Sequence, residues 1–183
     1  MGVLEVQEKS KYMQNKKILI TGGAGFIGSH LVKYMVDTYP TYGIHVIDNL
    51  TYAGNKKNLE GYDDKIEFHH MDISESRMMK AFLELHRFDG IINCAAETHV
   101  GNSIGHPQTF IKTNVVGTLN LIEACVKHNS RFLQVSTDEV YGSLDFNDGR
   151  TFYEFTPFAP QSPFAASKAA ADLLIISFIN TYD

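Results

Sequence analysis

The stretch "KKILITGGAGFIGSHLVKYMVD", Lys16 to Asp37, constrains what this chain can fold into more than any other. A short apolar run, Lys16 to Ile20, meets a glycine-rich turn, and apolar residues then recur at helical spacing. The pattern predicts a strand, a tight turn and a helix. Gly22, Gly25 and Gly28 fall in a G-x-x-G-x-x-G pattern, and each glycine has its own physical reason. Gly22 permits the turn, Gly25 lets backbone approach a bound group with no side chain between, and Gly28 lets the helix pack closely on the strand. Phe26 and Ile27 open the helix, whose first N–H groups lack intrahelical acceptors and carry partial positive charge. A pyrophosphate suits that place, and the strand–turn–helix context is the one a dinucleotide fingerprint requires.

The alternation continues along the chain. "GIHVID" (Gly43 to Asp48), "KIEFHH" (Lys65 to His70), "GIINCA" (Gly90 to Ala95) and "RFLQVS" (Arg131 to Ser136) are strand candidates. Helical stretches are expected over residues 74–85 and 107–128, and from Ser167 to Tyr182. The expectation is an α/β fold with a doubly wound parallel sheet of Rossmann type, right-handed crossovers and helices on both faces. Residues 1–15 read as a polar extension, and residues 16–183 as one dinucleotide-binding domain. Asp48 ends the second strand about twenty residues after Gly28, where a carboxylate would take the ribose hydroxyls of the cofactor. It would repel a 2′-phosphate, which favours NAD over NADP. Asp72 and Ile73, after the third strand, fit an adenine contact.

With 21 acidic against 16 basic residues and a formal net charge of −5, the chain offers no basic block for nucleic acid or an anionic membrane. A bound anion must be held by a local device such as the glycine turn. Cys94 and Cys125 have neither metal-ligand nor C-x-x-C spacing, so they are expected as buried thiols in a reducing cytoplasm. The histidines, including His69, His70 and His99, show no metal-ligand spacing either, and no metal is expected. No signal peptide is legible, and no apolar stretch approaches the roughly 20 residues that span a bilayer. The helices at 107–128 and 167–182 are apolar over too wide an arc for one wet face. Either a second copy of the chain, giving a homodimer, or a further part of the same chain would cover the surplus.

Taken together, "TGGAGFIG", "DNLTYAGN", "AAETHV", "TNVVGT", "STDEVYG" and "PFAPQSPFAASK" resemble the extended short-chain dehydrogenases, and most closely the dTDP-glucose 4,6-dehydratases. The resemblance runs from about Lys16 to the last residue. It implies a nucleotide-sugar substrate and NAD, with Asn49, Leu50, Thr51, Ala95, Ala96 and Lys168 added to the cofactor contacts and Glu97 and His99 to the sugar contacts. It further implies that Thr137 hydrogen-bonds the sugar's 4-hydroxyl, Asp138 protonates the leaving 6-hydroxyl and Glu139 removes the C5 proton. The sequence alone agrees in kind, since two adjacent carboxylates at the end of a central strand lie where open α/β sheets bind ligands.

The pattern is broken in three places. Phe164 stands where the family has a tyrosine held as a phenolate by the lysine that is Lys168 here, and a phenyl ring can neither accept nor donate a proton. Gly101 and Asn102 stand where the dehydratases carry an acidic and then a basic residue. The chain also stops at Asp183, so the family's last strands and its C-terminal substrate domain are expected to be missing. Three readings stay open: a 4,6-dehydratase impaired at its base, an epimerase or decarboxylase of the same superfamily, and a non-catalytic NAD-binding protein.

Overall fold

The computed structural model describes residues 15–145 and 149–182, so nearly all of the expected polar extension lies outside the described residues. Five short strands rich in branched residues form its centre: β1 (Lys17–Thr21), β2 (Gly43–Asp48), β3 (Ile66–His70), β4 (Gly90–Asn93) and β5 (Arg131–Gln134). All neighbours pair parallel, in the order β3-β2-β1-β4-β5. Going outward from β1, the chain adds β2 and β3 on one side and β4 and β5 on the other. The order therefore reverses between β1 and β4, which opens a crevice at the carboxyl ends of those strands.

The helices are α1 (Phe26–Thr38), α2 (Ser76–His86), α3 (Val100–Gly105), α4 (Pro107–Phe110), α5 (Thr118–His128) and α6 (Pro163–Tyr182). Strand alternation sends Leu19, Ile47 and Ile91 to one face of the sheet, where they pack with Met79, Phe82 and Leu83 of α2 and Leu121 and Cys125 of α5. Ile18, Ile20, Ile44 and Val46 go to the other face and pack with Val32 and Val36 of α1. Both faces are covered, so the sheet is doubly wound as expected.

Several boundaries differ from the sequence expectation. The fourth and fifth strands end two residues early, because Cys94–Ala95 and Val135–Ser136 already belong to the loops that turn into the crevice. The helix expected over 107–128 is continuous but contains a π-helical stretch, Ile111–Gly117, between α4 and α5. The short α3 and the 3-10 turns at Lys56–Leu59 and Asp138–Tyr141 have no counterpart in the sequence reading. The strand expected to be central, β5, is an edge strand among the described residues.

One correction concerns length. The last helix begins at Pro163 and runs 20 residues, so α6 is long and apolar enough, by length and composition, to cross a membrane. The alanines from Ala165 to Ala171 raise its hydropathy without projecting a large side chain. Its first half packs inward, with Phe164, Ala165, Ser167, Lys168, Ala169 and Ala171 all buried. Further along, Leu173, Ile176 and Ile179 are exposed, as are Ile111 and Val126 on the neighbouring helix. The surplus of apolar surface read from the sequence is present.

Candidate functional site

The glycine turn is built as its residues require. Gly22 has φ of +65°, and a Cβ there would lie 2.6 Å from the Ala95 nitrogen. A Cβ on Gly28 would lie 2.1 Å from the Gly22 oxygen, so α1 can approach the turn only as glycine. Gly25 is different, because its Cβ would meet only the Gly22 oxygen, at 3.2 Å, which leaves open space on its outer side. Gly25 also caps α1 without a side-chain hydrogen bond, and the first turn carries no acidic residue. The N–H end of the helix is thus left for an external acceptor. Phe26 and Ile27 are exposed beside it. Sequence reasoning missed Gly23, where a Cβ would lie 2.4 Å from Val46 Cγ1.

A cleft opens in front of this turn. Ten of the residues named from the sequence line it: Gly22, Gly25, Asp48, Asn49, Thr51, Asp72, Ile73, Ala95, Ala96 and Glu97. Ala53, Gly54 and Thr113 also line it and were not foreseen. Asp48 is buried, and its carboxylate accepts from the Ala24 N–H at 2.9 Å and the Leu50 N–H at 2.8 Å. That second bond holds Leu50 in a left-handed conformation with φ of 51°. Asp72 accepts from the Ser74 N–H and hydroxyl at 2.8 and 2.6 Å and from the Asn49 amide at 3.3 Å. Burial, and secondarily the Asp72 carboxylate, push the Glu97 carboxyl above the usual range. His99 does not line the cleft; its Nδ1 accepts from the Asn102 N–H at 3.2 Å and caps α3.

Behind the cleft runs a buried polar chain that the sequence did not announce. Thr21 Oγ1 donates to Asn93 Oδ1 at 2.5 Å, and the Asn93 amide donates to Thr118 Oγ1 at 3.2 Å and Gln134 Oε1 at 2.8 Å. Thr118 donates to the Asn114 carbonyl at 2.7 Å. Asn114, in the π-helical stretch, accepts from the Glu97 N–H at 2.9 Å, donates to the Glu97 carbonyl at 2.9 Å and donates to Ser167 Oγ at 2.8 Å. One fully satisfied side chain thus fixes the exit loop of β4 against α6.

The second group of candidates lies at the exit of β5. Thr137 caps the turn Asp138–Tyr141, accepting from the Glu139 N–H at 3.3 Å. Asp138 is exposed and Glu139 half-buried, so the adjacent carboxylates stand in unlike surroundings. Lys168 is buried, and its ammonium donates to the Val135 carbonyl at 2.6 Å, two residues before Thr137. Burial lowers the Lys168 pKa, while Asp172 and Cys94 partly offset that effect. Ser136 donates to the Asp172 carboxylate, whose pKa burial raises. Phe164, one helical turn before Lys168 on the same face, is buried edge-on to Phe110 at 6.3 Å between centroids. Cys94 and Cys125 are free thiols; Cys125 is buried as expected, whereas Cys94 is only half-buried. Gly101 and Asn102 both lie in α3.

A parallel sheet wound on both faces, with an uncapped glycine turn at the exit of its middle strand, defines a dinucleotide-binding α/β domain. The chain belongs to the family described as GDP-mannose 4,6 dehydratase, whose pattern it matches over residues 19–183. It is 39% identical over 166 residues to the dTDP-glucose 4,6-dehydratase of Mycobacterium tuberculosis, an alignment covering 91% of this chain and 50% of that protein. The solved dTDP-glucose 4,6-dehydratase of Bacillus anthracis in complex with NAD superposes with a TM-score of 0.80 at 41% identity, covering 91% of this chain and 51% of that one. The UDP-glucose 4-epimerase of Thermotoga maritima with UDP-glucose also reaches 0.80, at 32% identity and over 91% and 52% of the two chains. The chain spans about half the length of the curated relatives it matches.

Proposed function

We propose that this chain is the cofactor-binding portion of an NAD-dependent dehydratase acting on a nucleotide-activated hexose of the dTDP-glucose kind, which forms a 4-keto-6-deoxy sugar nucleotide. The observation that carries the reading is the pairing of Asp138 and Glu139 on the turn after β5 with Lys168 anchored to that strand's exit. The residues present fit NAD. The open side of Gly25 and the uncapped end of α1 would take its pyrophosphate, the free lone pairs of Asp48 its ribose hydroxyls, and Asp72 and Ile73 its adenine. NAD, when bound, supplies the hydride acceptor and donor.

The chain's own groups do the proton work. Thr137 orients the 4-hydroxyl, Glu139 takes the proton from C5, and Asp138 gives its proton to the departing 6-hydroxyl, so that water leaves across C5 and C6. Glu97 lines the cleft from the β4 side as a sugar contact, and His99, at the start of α3, is a second sugar contact. Phe164 leaves the 4-hydroxyl with no phenolate to take its proton. Since general base catalysis contributes roughly 10² to 10⁴ in rate, turnover should be slow by that order. That ring favours a second reading, in which NAD and nucleotide sugar are bound without turnover.

The free thiols fit a reducing cytoplasm, and the exposed Val126, Leu173, Ile176 and Ile179 fit a second copy packed against α5 and α6. The deciding experiment extends the chain to the length of its relatives and assays it as Phe164 and as Phe164→Tyr with dTDP-glucose and UDP-hexoses. A 4-keto product formed faster by the tyrosine variant supports the dehydratase. No such product from any hexose nucleotide ends that reading.

A further inference from the structure

Two adjacent bonds, neither of them part of the cofactor cleft, hold the exit of β5 to α6. The Lys168 ammonium donates to the Val135 carbonyl at 2.6 Å, and the next residue, Ser136, donates its hydroxyl to the Asp172 carboxylate. Lys168 and Asp172 stand four residues apart on α6, so their side chains leave one face of the helix a single turn apart. Consecutive residues of the strand exit thus meet consecutive turns of the helix, and Thr137, Asp138 and Glu139 follow directly. Resting on the reading of Asp138, Glu139 and Lys168 as the proton-transfer groups, we propose that Asp172 is a positioning residue for them. Through Ser136 it fixes the turn Thr137–Glu139 on α6, level with the Lys168 ammonium.

An alanine would fill this place on the helix, but it could not do what the carboxylate does. The Thr137 hydroxyl accepts from the Glu139 N–H at 3.3 Å, and the Gly142 N–H donates to the Glu139 carbonyl at 3.1 Å. A shift of Ser136 is therefore passed along the turn to both carboxylates. Asp172 also supplies charge. Lys168 is buried, which lowers its pKa, and Asp172 on its own helix and Cys94 at the exit of β4 are the groups that oppose the fall. Burial holds the Cys94 thiol at about 11, so it is neutral at pH 7, and of the two only Asp172 stands there as an anion. Asp172 is itself half-buried; burial raises its pKa, while the Ser136 hydroxyl and Lys168 favour its charged form.

The test follows the full chain by NMR, labelled with nitrogen-15 and with carbon-13 at lysine Cε, and Lys168→Arg identifies the Lys168 resonance by its loss. Asp172→Asn keeps an acceptor for Ser136 but removes the charge, so the Lys168 titration midpoint should fall by about half a pH unit or more. Ser136→Ala keeps the charge but removes the bond, so amide exchange at Glu139 and Gly142 should quicken by about fivefold or more. Ser136 is exposed and the change removes one oxygen, so this variant reports even if Asp172→Asn fails to fold. A Lys168 midpoint that Asp172→Asn leaves in place, or exchange at Glu139 and Gly142 that Ser136→Ala leaves unchanged, overturns the proposal. Neither readout needs turnover, so the dehydratase reading is tested apart from it, by product formation in the extended chain.

Discussion

Phe164 and Lys168 share one buried face of α6, and under the proposed function Phe164 lacks the phenol oxygen that would take a proton there. Phe164→Tyr in a chain of the relatives' length should therefore raise the rate of 4-keto product formation by roughly 10² to 10⁴. Measured NAD affinity should barely move, because Phe164 does not line the cofactor cleft. The two thiols make a separate prediction. Burial raises Cys94 to about 11 and Cys125 to about 12, so at pH 8 the thiolate fraction is about 100-fold or more below that of an ordinary thiol. Alkylation by iodoacetamide should be slower by about that factor in the folded chain than in urea. The sign for stability follows, since a folded pKa raised above the unfolded one contributes stability below about pH 9 that is lost as pH rises toward 11. Urea midpoints compared at pH 8 and pH 10.5 check it; a midpoint that does not fall contradicts the burial.

Among the elements, the turn into α1 and the π-helical stretch set the site. Gly28→Val would drive its Cβ into the Gly22 carbonyl, and the overpacking should lower stability by about 2–3 kcal/mol in urea unfolding. Asn114→Ala leaves the Glu97 N–H and carbonyl and Ser167 Oγ without their partner, which should cost about 2–3 kcal/mol. The same variant should loosen the cleft at Glu97, seen as faster amide exchange there. The first of these elements was legible in the sequence, because each glycine answers to a local steric need, and the bounds of β2 were legible because Gly43 and Asp48 flank its apolar run. The role of Asn114 was not. "TNVVGT" keeps an apolar period that an α-helix or a π-helical stretch can both satisfy, and only bonds to Glu97 and Ser167, far along the chain, give the residue its work.

In the molecule as a whole, one sheet edge and one helix face stand uncovered among the described residues. β5 is an edge strand among the described residues, and the apolar residues of α5 and α6 beside it stand exposed. Sedimentation at rising concentration should show association, and Leu173→Glu with Ile176→Glu should abolish it while leaving cofactor binding intact. A chain that stays monomeric at high concentration removes the dimer. The central claim is narrower and rests on the crevice between β1 and β4. Calorimetric titration of NAD into the native chain should give one site, with affinity reduced at least tenfold in Gly25→Val, which fills the open side of the turn while leaving the rest of the cleft in place. An absence of NAD binding to the folded native chain, or equal binding by folded Gly25→Val, would contradict it.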